Sequence, residues 1–86
     1  MLEKSGLVKL TEECGELIQI ACKKMTCMET DEHWDGNGSI KNRLEDEIAD
    51  VLAACAVVVD NFNLDVDFIA VRSNSKIKLF KKWMDE

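Results

Sequence analysis

The chain has 86 residues, 47% of them apolar, a formal net charge of -6 and a pI near 4.7. It is long enough for one small domain, expected to span residues 1–86, and too apolar for a disordered chain. No apolar run approaches the roughly 20 residues of a membrane span. The opening MLEKSGLVKL has no apolar signal-peptide core, and the acidic balance disfavours nucleic acid. The expectation is therefore a cytoplasmic protein with no membrane and no nucleic-acid partner.

The first predicted element is a helix from about Ser5 to about Cys27. Leu7, Leu10, Cys14, Leu17, Ile18, Ala21 and Met25 recur at three- and four-residue steps and draw one apolar stripe. Within it stands EECGE, residues 12–16, with three carboxylates in five positions. Glu13 and Glu16 lie one turn apart, and the direction between them leads to Ile20 on the next turn. Gln19 and Lys23 continue the strip of Glu12 and Glu16.

A polar loop is expected over roughly residues 28–38. Its DEHWDGNGS stretch resembles the start of a calcium loop, with Asp31, His33, Asp35 and Gly36 in step. The match fails at Asn42, where a bidentate Glu is required. His33 and Trp34 read as ordinary loop residues, with stacking of Trp34 on a nucleobase as the alternative.

The second helix starts after Ser39 as N-cap and runs to about Asn61. Its core side is expected to carry Ile40, Leu44, Ile48, Val51, Leu52, Cys55 and Val59. Near its middle, EDEIAD places Glu47 and Asp50 one turn apart. Their strip runs on into Ala54, Val57 and Val58, so these carboxylates border apolar surface where a solvated face would stay polar. Residues 51–59 read VLAACAVVV, apolar in every direction of a helix, while Ala49, Ala53 and Ala56 leave one side open to close approach. Enclosing that stretch calls for a second chain, so a dimer or a dimer of dimers is expected.

The third helix is capped by Asn63 or Asp65 and carries Val66, Ile69, Ile77, Phe80 and Met84 on one stripe. Its basic KIKLFKKW end reads as core positions between solvated lysines. There is no proline, and VVV at 57–59 sits inside a helical pattern. The fold class is all-α. The cysteines, at 14, 22, 27 and 55, form no C-x-x-C pair, and His33 is the only histidine, which argues against structural zinc and for buried free thiols. The same single histidine excludes a ferritin-like site, which needs E-x-x-H on two helices.

Two acid pairs, Glu13/Glu16 and Glu47/Asp50, on antiparallel helices can converge. Four carboxylates brought together repel each other unless a cation sits among them. An all-oxygen set of this kind selects Mg²⁺ or Mn²⁺.

The same residues resemble the MazG-like all-α nucleoside triphosphate pyrophosphohydrolases. The family signature EExxE followed by ExxD stands here as Glu12-Glu13-Cys14-Gly15-Glu16 and Glu47-Ile48-Ala49-Asp50. EECGELIQ and LEDEIADVL resemble the flanking family segments, and NSKIKLFKKW a C-terminal one, with Asn74 and Lys76 at the matching places. The resemblance implies a helical bundle with a partner chain and Mg²⁺-dependent cleavage of a (d)NTP to monophosphate and pyrophosphate. It implies Glu13, Glu16, Glu47 and Asp50 as metal ligands and Glu12 as a general base or an orienting group. Lys23, Lys24, Asn74 and Lys76 then become candidates for phosphate contacts. The related phosphoribosyl-ATP pyrophosphohydrolases follow their acidic Asp with an aromatic–His pair, whereas Asp50 is followed by Val51-Leu52-Ala53-Ala54. That activity therefore ranks lower. The reading from another class is a non-catalytic helical dimer that binds a nucleotide or a protein.

Overall fold

A computed structural model describes residues 2–26 and 39–85. Among them are a short 3-10 turn, Leu2–Lys4, and three α-helices: α1, Leu7–Thr26; α2, Ile40–Asn61; and α3, Val66–Met84. No strand element occurs among the described residues. The all-α class is as expected, and the expected helix limits hold to within a residue or two. The expected loop, with His33 and Trp34, lies outside the described residues, as does Cys27. No described helix is long and apolar enough to cross a membrane.

The helix ends follow from local chemistry. The Ser39 side chain accepts from the Asn42 N–H at 3.2 Å, and Asp65 accepts from the Phe68 N–H at 3.0 Å. Each satisfies a backbone donor that the first helical turn leaves without a partner. α2 stops where Asn63 turns left-handed, at φ 51°. There the Leu64 N–H reaches back to the Val59 carbonyl at 3.0 Å and the Asn63 N–H to Asp60 at 3.3 Å. This is a Schellman closure with Asn in the usual glycine place.

α1 and α2 pack along each other as a hairpin, the only extensive helix pairing among the described residues. One end is clamped by Asn61, whose Nδ2 donates to the Lys4 carbonyl at 3.1 Å and to the Ser5 carbonyl at 2.8 Å. Gly6 sits buried beside that clamp at φ 91°, and a Cβ there would lie 2.9 Å from Val57 Cγ1. A residue with a side chain fits neither the angle nor the space. The start of α1 is thereby held against the end of α2, which makes the pair antiparallel.

The contact face is not the apolar stripe. The buried residues of the hairpin are Gly6, Ile20, Ile40, Ala54, Val58 and one carboxylate, Glu47. On α2 the series Ile40, Glu47, Ala54, Val58 repeats near whole turns, so it forms one line. Of the expected core side Ile40 is buried and Leu44, Val51, Cys55 and Val59 are half-buried, while Ile48 and Leu52 lie a quarter turn or more from this line. Ile48 and Leu52 are exposed. The same rotation holds on α1, where Ile20 is 2% exposed while Leu7, Ile18 and Met25 face outward. Only Ala54 and Val58 of the 51–59 stretch are buried within the chain. The stripe expected on α3 is not core within the chain: Val66, Ile69, Ile77, Phe80 and Met84 are all exposed, and α3 buries none of its residues. The free thiols also differ from expectation: Cys14 and Cys55 are half-buried and Cys22 is exposed.

The molecule is thin, 41 × 36 × 15 Å, with a radius of gyration of 15.5 Å. A compact 86-residue domain would have a radius of about 12 Å. Its accessible surface is 6881 Å², about a third more than the roughly 5,100 Å² usual for its mass.

Two glycines should respond to the same change with opposite sign. Gly6→Ala meets a positive φ and the Val57 side chain, and is expected to lower unfolding free energy by roughly 1–3 kcal/mol. Gly15 lies mid-helix with nothing within 4 Å of an added Cβ, and Gly15→Ala is expected to raise it by about 0.5–1 kcal/mol. Urea midpoints at one fixed protein concentration check both. A shared sign would overturn this local account.

Candidate metal centre

The rotation of the hairpin places acids where a core would normally be. Glu13 of α1 shares its side of the helix with Ile20, and Glu47 of α2 shares its line with Ile40 and Ala54. Zipping these faces desolvates both carboxylates. Glu47 is 9% exposed, and the Glu13 side chain 13%. Glu13, Glu47 and Asp50 each offer a carboxylate oxygen within 4.8 Å of the others. Two of the oxygens, Glu13 Oε2 and Glu47 Oε2, are buried without a hydrogen-bond partner.

Burial pushes the Glu47 carboxyl above its ordinary value of 4.5, and the charges of Glu16, Asp50 and Glu13 push it further. Glu13 is raised in the same way, first by burial and then by Glu16 and Asp50, with Lys9 pulling it back down. Lys9 Nζ lies 3.2 Å from Glu12 and 3.9 Å from Glu13. This exposed ion pair adds little stability, but it sets a positive charge beside Glu13.

An orphaned carboxylate oxygen on each helix, with a third acid beside them, is a donor set that suits a hard divalent cation. Buried acceptors of this kind otherwise carry the full cost of desolvation. Oxygen-only donors match Mg²⁺ or Mn²⁺ and leave room for ligands from water or phosphate. Glu13, Glu47 and Asp50 are thus brought together. Glu16 is exposed and lies outside the triad, yet its charge acts on both buried acids. Glu12 also lies outside, 54% exposed and held by Lys9.

The acids separate two cavities of about 310 Å³ each. The first is a mainly apolar trough of Gly6, Ala53, Ala54 and Val57, with Lys9, Glu13 and Asp50 at its polar side. The second is a polar cleft of Glu16, Gln19, Ile20, Lys23, Arg43 and Glu47. Of the residues expected to meet phosphate, Lys23 lines the cleft. Lys24, half-buried on α1, lines neither cavity, nor do Asn74 and Lys76 of α3. Lys9 and Arg43 are the additions that sequence reasoning passed over. Helical spacing held the signal for both, since Lys9 precedes Glu13 by four residues and Arg43 precedes Glu47 by four.

The raised carboxyls give a pH dependence with a definite sign. A folded-state value above the unfolded one contributes stability that is complete below the unfolded value, here 4.5, and lost as pH rises through the folded value. The metal-free wild type should therefore lose stability, relative to Glu47→Gln, as pH is raised from 5 to 8. Millimolar Mn²⁺ or Mg²⁺ should raise the wild-type melting temperature at pH 7.5, and Glu47→Gln should blunt that rise. Melting curves of the two proteins with and without metal check this. Parallel curves at every pH and no response to metal would overturn it.

Compared with protein-family models, with curated proteins and with solved structures, the chain matches none.

Proposed function

We propose that this chain is a Mg²⁺-dependent nucleoside triphosphate pyrophosphohydrolase that cleaves a (d)NTP to (d)NMP and pyrophosphate. The observation that carries the reading is the pair of buried, unpartnered oxygens, Glu13 Oε2 and Glu47 Oε2, converging with Asp50. These three residues belong to the two motifs that resemble the MazG-like enzymes. They would hold the divalent cation, with Glu16 at the edge of the cluster. When bound, Mg²⁺ or Mn²⁺ supplies charge neutralisation for the triphosphate and activation of water.

The chain's own groups do the rest. Lys23 offers a cation beside Glu16 and Glu47, where phosphate oxygens would lie. Glu12 either accepts a proton from the attacking water or orients a neighbour through Lys9. The trough of Ala53, Ala54 and Val57 offers a water-poor wall on the other side of the acids. A purely structural interface would gain nothing from these carboxylates, which disfavours the non-catalytic helical module. Free thiols at Cys14, Cys22 and Cys55 suit a reducing, cytoplasmic setting.

The enzyme is proposed to work as a homo-oligomer, a dimer or a dimer of dimers. α2 keeps a second apolar side open, with Ile48 and Leu52 exposed, and α3 exposes Phe68, Ile69, Ile77 and Phe80. Apolar surface this extensive on a chain of this size marks an interface. Asn74 and Lys76 would then reach a site through the assembly, on a helix that packs along neither α1 nor α2 in its own chain. Leu52 is 64% exposed, so Leu52→Glu disturbs nothing inside one chain. It should nevertheless lower the mass seen by light scattering, and a wild type that is a stable monomer at micromolar concentration would exclude the assembly.

The decisive assay supplies each of the eight common (d)NTPs with Mg²⁺ and reads pyrophosphate. At least one should yield monophosphate and pyrophosphate with no orthophosphate as first product. Glu13→Ala, Glu47→Ala and Asp50→Ala should each lower kcat on the order of 100-fold or more, exceeding the cost of an outer-shell partner, and Glu16→Ala should also lower it. A double change should add little, because ligands act as a unit. Glu12→Gln with a comparable loss identifies a base, and with a mild loss an orienting group. Lys76→Ala should raise KM. No pyrophosphate from any nucleotide, or full activity in Asp50→Ala, would overturn the reading.

A further inference from the structure

We infer that Arg43, with Lys23, forms an anion subsite that takes the terminal phosphates of a metal-bound polyphosphate, in the polar cleft on the far side of the acids from the apolar trough. The inference rests on the pyrophosphohydrolase reading and adds to it the direction in which the ligand lies. Arg43 stands on the first turn of α2, which carries no acid. The positive end of the helix dipole adds to its charge there. It is half-buried and lines the cleft of about 310 Å³ with Glu16, Gln19, Ile20, Lys23 and Glu47.

Although two carboxylates line the same cleft, the Arg43 guanidinium makes no ion pair and no hydrogen bond among the described residues. Its five N–H donors have no protein acceptor among the described residues, and a planar fork of this kind matches phosphate oxygens. The trough is a poor alternative for the anionic end. Its walls are Gly6, Ala53, Ala54 and Val57, with Lys9 as the one cation in its lining, against two cations in the cleft. Glu47 belongs to both the cation triad and the cleft. A chelated phosphate chain therefore has its metal on the acids and its free end on Arg43 and Lys23. The ligand class is a compound with linked phosphates, one group for the metal and another for the subsite.

The test uses the full chain and inorganic tripolyphosphate, which has no nucleoside to contribute binding. Calorimetry measures Mn²⁺ alone, and then tripolyphosphate in the presence of Mg²⁺. Arg43→Gln is expected to weaken tripolyphosphate about tenfold or more, the scale of charge-assisted hydrogen bonds, and to leave Mn²⁺ binding within about twofold. Arg43→Lys should recover only part of the loss, because it restores charge without the fork. Unchanged tripolyphosphate affinity in Arg43→Gln overturns the subsite and leaves the proposed activity standing. So does an equal change in Mn²⁺ binding, which would make Arg43 a counter-charge for the acids. A wild type that binds neither Mn²⁺ nor tripolyphosphate overturns both.

Discussion

The organising constraint is that Glu13 and Glu47 lie on the face by which α1 and α2 meet. The hairpin cannot close without drawing these carboxylates out of water and toward each other and Asp50. Closing the hairpin and building the acid cluster are therefore one event. The cost falls on a contact face whose buried side chains are few and small apart from Ile20, Ile40 and Val58. On the proposed reading, a cation bound between the helices returns that cost, so its binding free energy is also folding free energy.

Register is what makes the constraint specific. The clamp of Asn61 on the Lys4 and Ser5 carbonyls, with Gly6 seated against Val57, fixes how far α1 runs along α2. A one-residue change in the helical phase of α1 turns its side chains by about 100° and carries Glu13 away from Glu47. The N-terminal turn thus governs a site two helical turns further on. Glycine is required at position 6 for backbone and spatial reasons, while a Cβ at Gly15, between the acids, would meet none of the described residues within 4 Å.

The same geometry explains why so much apolar surface stays outside. Because the acids occupy the contact face, the apolar stripes of α1 and α2 point about a quarter turn away from it, and α3 leaves the hairpin with its own stripe uncovered. The proposed assembly and the proposed cation site are two consequences of one arrangement. The charges take the inside of the hairpin, and the hydrophobic side chains are left for another body. The two cavities divide in the same sense, mainly apolar on one side of the acids and polar on the other.

The sequence by itself determined what is local. Ser39 announced the start of α2, Asn63 or Asp65 that of α3, which the structure gives to Asp65, and periodicity delimited the helices, because caps and 3.6-residue repeats act within one or two turns. It also disclosed that the pairs Glu13/Glu16 and Glu47/Asp50 border apolar positions, Ile20, Ala54, Val57 and Val58, of which all but Val57 are buried. What it misjudged is which quarter of each helix faces the other. An apolar stripe identifies surface that needs covering and does not identify what covers it, so Ile48 and Leu52 read as intramolecular core. Only the tertiary structure decided that the carboxylates take the contact face, that two of their oxygens are left without partners, and that Lys9 and Arg43 flank them. The meeting of Glu13 with Glu47 and Asp50 joins residues more than 30 positions apart, and it depends on the antiparallel register set by Gly6 and Asn61.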